Sequence, residues 1–179
     1  MSYIAVNAGK KFENNWKASL PDDVLYYRLP DPPQSFNQTN HLRFSWKNPC
    51  DIFILNPRTR TFYALELKST KATSFSFEKE KKSYKTANIK YHQIEALTDF
   101  AKFDCVVSGF VFNFRIEKED TERTYFQNIN DFNVMIGEID KKSFNEKDLL
   151  KYNPVLIEQR RLKVNYRYNV GKFLQSVYK

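Results

Sequence analysis

An α/β fold built on a central mixed β-sheet flanked by helices is what this sequence predicts, and three observations predict it. Short apolar runs bounded by turn residues recur at 24–29, 51–56, 61–68, 105–114 and 124–129, the pattern of buried strands. Stretches with apolar residues at helical spacing fall before, between and after them, at 9–20, 86–102 and 145–152. That interleaving argues for a sheet covered by helices rather than an all-β sandwich or a bundle. At 179 residues, 41% hydrophobic and 16% aromatic, the chain suffices for one packed domain and is short for two, so a single domain over 1–179 is expected.

Taken in order, 9–20 (GKKFENNWKASL) places Phe12, Trp16 and Leu20 at i, i+4 and i+8 as a buried stripe, with Glu13 flanking it. The strand at 24–29 leads into 30–49, which holds four of the seven prolines and so marks a short excursion from the sheet at 30–47. Next come NPCDIFIL and TFYALELK, joined by Asn56-Pro57-Arg58-Thr59-Arg60, where Pro57 suits the second position of a hairpin turn. A polar loop follows. The 86–102 helix gathers Ile89, Ile94, Ala96, Leu97, Phe100 and Ala101 in one arc, with Gln93 inside it between Ile89 and Leu97. Two strands, the 145–152 helix and an extended tail complete the chain.

Composition excludes several functions. No run of about 18 apolar residues is present and MSYIAVNAGKK lacks the layout of a signal peptide, so a soluble, cytoplasmic protein with no membrane partner is expected. Cys50 and Cys105 have no metal-type spacing and are expected to be reduced and buried. Two histidines, His41 and His92, leave little material for a zinc site or a Ser-His-Asp triad.

The chemistry concentrates on the hairpin. Asp51 opens one buried strand, and Glu66 and Lys68 stand two apart in the other. Charges there need a partner or an ion. Alternation puts Phe62, Ala64, Glu66 and Lys68 on one face and Tyr63, Leu65 and Leu67 on the other. With Pro57 to Arg60 as the loop and Asn56 paired with Thr61, Asp51 faces Glu66, at a Cβ separation of about 4.5–5.5 Å. Two carboxylates so close repel unless a cation lies between them, and oxygen ligands suit Mg²⁺ or, in its place, Mn²⁺. Lys68 would steady an attacking water or the charge on a phosphate. The same acid-x-Lys triplet at Glu80/Lys82 and Asp140/Lys142 falls in charge-dense segments and reads as surface. Gln93, on the apolar arc, needs a partner: its oxygen could enter a metal shell, its NH₂ could hold water or phosphate, or it could bond a neighbouring backbone.

The ordered set Gly9-x-x-Phe12-Glu13, the Asp51 strand, Glu66-x-Lys68, Thr73-Ser74-Phe75 and His92-Gln93-Ile94 resembles the RecU family of Holliday junction resolvases. That family is a branch of the PD-(D/E)xK nucleases with the restriction-endonuclease-like fold. The likeness continues through SGFVFNF, TYF and SFNEKDL and spans 7–157. It implies that Asp51, Glu66 and Gln93 bind the metal, that Lys68 stabilises the transition state and that Glu13 is the acid of the first helix. Departures are Pro49, where cellular members carry a metal-contacting threonine, a missing basic N-terminal arm, and a stalk reduced to the 30–47 excursion. The pattern is that of a compact, phage-encoded relative.

The function expected is a Mg²⁺-dependent endonuclease that resolves four-way junction DNA in recombination and repair, working as a homodimer because the junction is two-fold symmetric. Alternatives are a PD-(D/E)xK nuclease with another DNA substrate, or a DNA-binding accessory that does not cut. The tail at 159–179 carries Arg160, Arg161, Lys163, Arg167, Lys172 and Lys179 and no acid, a strip suited to phosphates. Arg43, Trp46 and Lys47 on the excursion, with Phe36 and Phe44, are placed to meet bases at a branch point. Thr73, Ser74 and His92 complete the expected DNA-binding residues.

Overall fold

The computed structural model describes residues 8–30, 47–81, 86–116 and 121–178. Its strands are β1 (Leu25–Arg28), β2 (Ile52–Asn56), β3 (Thr61–Thr70), β4 (Ser74–Ser76), β5 (Val106–Ile116), β6 (Thr121–Asn128), β7 (Ser143–Asn145), β8 (Val155–Leu156), β9 (Gln159–Arg161) and β10 (Tyr166–Tyr168). The helices are α1 (Ala8–Lys17), α2 (Tyr91–Phe100), α3 (Ile129–Glu138), α4 (Glu146–Leu149) and α5 (Val170–Ser176). Six strands form one sheet in the order β1-β2-β3-β5-β6-β8. Among the described strands of this sheet only β3 and β5 run parallel, and such a pair needs a crossover, which carries α2. The mixed α/β sheet flanked by helices is therefore as expected. β4 pairs with β7 and β9 with β10 as two small ribbons.

Each sheet face has its own core. On one, Ala64, Phe110, Phe112 and Phe114 pack with Ile94 and Leu97 of α2, Phe132 and Met135 of α3, and Phe75 and Phe144 of the β4-β7 ribbon. On the other, Tyr63, Leu65, Leu67 and Val111 meet Phe12 and Trp16 of α1 and Phe173 and Leu174 of α5. The alternation read from TFYALELK holds residue by residue along β3. Tyr63 is tied down further, its hydroxyl donating to the carbonyls of Leu174 and Val177 at 2.8 and 2.6 Å. Among the described residues no helix is long and apolar enough to cross a membrane.

Several expected boundaries move. α2 begins at Tyr91 instead of 86, because residues 86–90 are recruited by the ribbon: Asn88 Oδ1 accepts from Ser76 N at 2.9 Å, and Ile89 bridges Phe77 in parallel. Ile89 is thus buried by pairing, not by a helical arc. α1 stops at Lys17, short of Leu20. Ile129, expected to end a strand, opens α3, where the Asn128 side chain accepts from Asn130 N and Ile129, Phe132 and Met135 are buried. The tail is extended only in β9 and β10 before it coils into α5, capped by Asn169. Cys105 is exposed; Cys50 alone is buried. Glu80, Asp140 and Lys142 lie at the surface. Lys82, His41, Arg43, Trp46, Phe36 and Phe44, and so nearly all of the 30–47 excursion, lie outside the described residues.

Candidate active site

The site starts from the hairpin turn. Asn56 Oδ1 accepts from Arg58 N at 3.1 Å, an Asx turn that mimics a backbone turn, and Arg60 takes a φ of 56°. Asn56 then pairs with Thr61 and Ile52 with Leu65, while Asp51 N donates to Leu65 O at 3.2 Å. The Asp51 and Glu66 carboxyls are thereby brought together, although the Asp51 N–H on Leu65 O is one residue out of step with the Ile52–Leu65 pairing that the hairpin reading extends to Asp51 and Glu66. Asp51 Oδ2 accepts from Leu67 N at 2.8 Å.

Glu66 is 2% exposed. Lys68 Nζ lies 2.8 Å from its Oε1, and Gln93 Nε2 donates to the same oxygen. Burial first, then the Asp51 carboxylate, pushes the Glu66 pKa up to about 7 against the pull of Lys68. Asp51 is likewise held above the usual carboxylate range, chiefly by burial, with Lys68 and the Leu67 N–H opposing. The buried Cys50 thiol beside them is pushed up by burial, by Glu66 and by Asp51, which makes it a poor nucleophile. Two carboxylates thus share one lysine, an imbalance of charge in a sheltered place.

Gln93 sits at the third position of α2, three residues past its extended N-cap Lys90. Its Oε1 accepts from Lys90 N at 3.0 Å, leaving the NH₂ for Glu66. As a metal ligand through oxygen, Gln93 would have to release that cap. Glu13 approaches from α1: its Oε2 accepts from Arg28 Nε at 3.0 Å and lies 3.3 Å from Lys10 Nζ, and its charge reaches Asp51. The acid of the first helix is therefore at the margin of the pair, held by Arg28.

The donor set fits a hard divalent cation: two carboxyls each held above the usual range chiefly by burial, Glu66 raised further by Asp51, with a neutral amide alongside. Among the described residues no group of three or more His, Cys, Asp or Glu side chains converges, so an ion would rest on Asp51 and Glu66 with neutral oxygen donors.

The expected DNA contacts are distributed unevenly. His92, its pKa lowered by burial and then by Lys47, feels Lys68 and Lys90 as well, so these lysines gather around His92. Thr73 is exposed and Ser74 pairs with Asn145 in the ribbon. Arg160 faces Arg167 across the β9-β10 pair, and Arg167 with Asn165 forms a groove of about 580 Å³ against Lys11, Asn14 and Asn15 of α1. Arg161 and Lys163 are exposed. The tail thus packs with α1, on the face opposite Glu66. Sequence reasoning missed Glu78, an acid 8% exposed at the mouth of α2; its signal was its place directly after the alternating SFSF.

No family model matches the chain. Hjc from Archaeoglobus fulgidus, a Holliday junction resolvase of known structure, is similar over 81% of this chain and 88% of its own, with 17% identity and a TM-score of 0.44, too loose to carry a functional assignment. The sequence match is firmer: over 98% of its length the chain is 30% identical to the SPbeta prophage-derived uncharacterized protein YotM of Bacillus subtilis (strain 168), with 89% of that protein covered, and it belongs to the same family.

Proposed function

We propose that the protein is a metal-dependent DNA endonuclease of the restriction-endonuclease-like kind, selective for four-way junctions, as the resemblance of its motifs to the RecU resolvases implies. The observation that supports this best is the buried Glu66 carboxylate beside the partly buried Asp51, with Lys68 2.8 Å from Glu66, an arrangement with an excess of negative charge and an adjacent cation. Asp51 and Glu66 would hold Mg²⁺ or Mn²⁺, joined by Gln93 once its oxygen leaves Lys90 N. When bound, such an ion supplies Lewis acidity toward a phosphodiester and makes water more acidic. Lys68 would neutralise charge growing on a phosphoryl oxygen, and Lys47 and Lys90 would favour an approaching phosphate. Arg160, Arg161, Lys163 and Arg167 would track the backbone farther along.

A four-way junction must be cut in two strands, so paired sites in a C₂ homodimer follow from that substrate. Comparing cleavage of junction, fork and linear duplex with and without Mg²⁺ tests the reading. Metal-dependent cutting that prefers the junction is expected. Equal cutting of all three would move the protein to a nuclease with another substrate, and junction binding without cutting would make it an accessory.

A further inference from the structure

Glu78 lies just past β4 in a segment whose composition, FEKEKKSYK, reads as solvated charge, yet its side chain is sheltered. Its Oε2 accepts from Tyr91 N at 2.9 Å and its Oε1 lies 3.4 Å from Lys90 Nζ. Its own backbone N donates to Ile89 O at 3.0 Å. Main chain and side chain together therefore clamp Glu78 to residues 89–91, and a carboxylate is electrostatically favoured against the first N–H groups of a ten-residue helix.

What this clamp holds is the first turn of α2. The Tyr91 N–H and the Lys90 ammonium are gripped by Glu78, the preceding N–H, that of Lys90, is taken by Gln93 Oε1, and the Gln93 NH₂ is turned onto Glu66. The chain of contacts runs from Glu78 through the start of α2 to Gln93 and ends on the carboxylate pair. Lys90 and His92 ride on the same turn.

We propose that Glu78 is a positioning residue for the Asp51/Glu66 centre: it fixes the first turn of α2 so that the Gln93 amide stays against Glu66. This rests on the reading of that pair as a divalent-cation site. Outer partners that orient a metal-site residue typically contribute 10–100-fold in affinity, and residues acting through one another are not additive.

The test is Mn²⁺ binding to the full chain without DNA, read by electron paramagnetic resonance of free Mn²⁺, alongside melting temperature. Wild type, E78A, E78Q, Q93A and E78A/Q93A are compared. E78A should bind Mn²⁺ about tenfold more weakly, and the double variant should be no weaker than the weaker single. E78Q, which keeps an acceptor for Tyr91 N–H, should recover to within about threefold of wild type. A lowered melting temperature with unchanged Mn²⁺ affinity in E78A would reduce Glu78 to a fold-stabilising cap and overturn the proposal, as would additive losses in the double variant. Should E78A not fold, E78D carries the test, since its shorter side chain cannot make the same bond and must weaken Mn²⁺ binding. Wild type that binds no Mn²⁺ would sink the cation site itself, a result distinct from tight wild-type binding that Glu78 does not influence.

Discussion

β3 presents two polar neighbourhoods at its C-terminal end, one on each face, and they differ in how completely they are satisfied. On the α1 face Ser69 Oγ donates to Asn113 Oδ1 at 2.7 Å, Asn113 Nδ2 to Thr124 Oγ1 at 3.0 Å, and Thr124 Oγ1 to Gln159 Oε1 at 2.8 Å. Gln159 closes the run on the Glu122 carbonyl, and Tyr168 donates to the Glu122 carboxylate. Every donor in that run meets an acceptor. On the α2 face, Asp51 and Glu66 have one ammonium between them, and both carboxyls are driven up in pKa. A closed run of neutral groups such as that from Ser69 to Gln159 rigidifies a sheet; an open charged one stores a demand for a cation. Burial alone does not tell structure from function, but the balance of partners does.

The comparison can be broken most directly on the charged face. Asp51→Asn or Glu66→Gln should abolish cutting of a four-way junction, while junction binding in a metal-free gel shift persists because the distant cations are untouched; wild-type single-turnover rates in either variant would remove the pair from catalysis. Lys68→Ala should slow the same single-turnover reaction by about a few hundredfold, the usual loss when a charge aimed at a transition state is deleted. A near-normal rate would leave Lys68 as a partner for Glu66 and nothing more.

The neutral face predicts the reverse pattern. Asn113→Ala leaves Ser69 and Thr124 without their partner and should cost about 1–3 kcal/mol of stability in denaturant unfolding, with the Mg²⁺ concentration for half-maximal cutting unchanged. A shifted metal requirement would mean that the two faces are coupled through β3.

The smallest effect is a pH dependence. Glu66 has its pKa raised from 4.5 to about 7 in the folded protein, so the native state holds that proton more tightly than the unfolded chain does. Its contribution therefore weakens the fold progressively as pH rises from about 4.5 through 7. The melting temperature of chelated wild type should fall across that window relative to Glu66→Gln, and Mg²⁺ should close the gap. Parallel curves for the two proteins would show that Glu66 titrates as an ordinary carboxylate.

Much of this was legible in the residues themselves. Alternation along TFYALELK sorted β3 into its two faces, and the turn residues set the register from Asn56–Thr61 to Ile52–Leu65 that brings Asp51 beside Glu66, because both rules depend only on neighbours in the chain. The start of α2 was not legible. Ile89 fits a helical arc, but Asn88 and Ile89 are claimed by Ser76, Phe77 and Glu78, contacts between segments a dozen residues apart that override local spacing. α3 was hidden for another reason: Ile129 follows a strand without a break, and only the Asn128 cap and the Ile129, Phe132, Met135 spacing betray the switch of period. Gln93 was singled out correctly as needing a partner, yet its role as a cap required knowing where the helix begins.

The four-residue turn between β2 and β3 acts as a parity gauge for the whole centre. Directly opposed residues of an antiparallel pair point to the same side, and a slip of one position sends every side chain of a strand to the other. With Asn56 on Thr61 and Ile52 on Leu65, the Asp51 side chain emerges on the side of Glu66; a slip of one position would turn it toward the face of Phe12 and Trp16. Changes of loop length that bulge outward and preserve the Asn56–Thr61 closure are compatible with the centre. Those that re-pair the strands by an odd number would separate the carboxylates onto opposite faces without altering a single residue of the site.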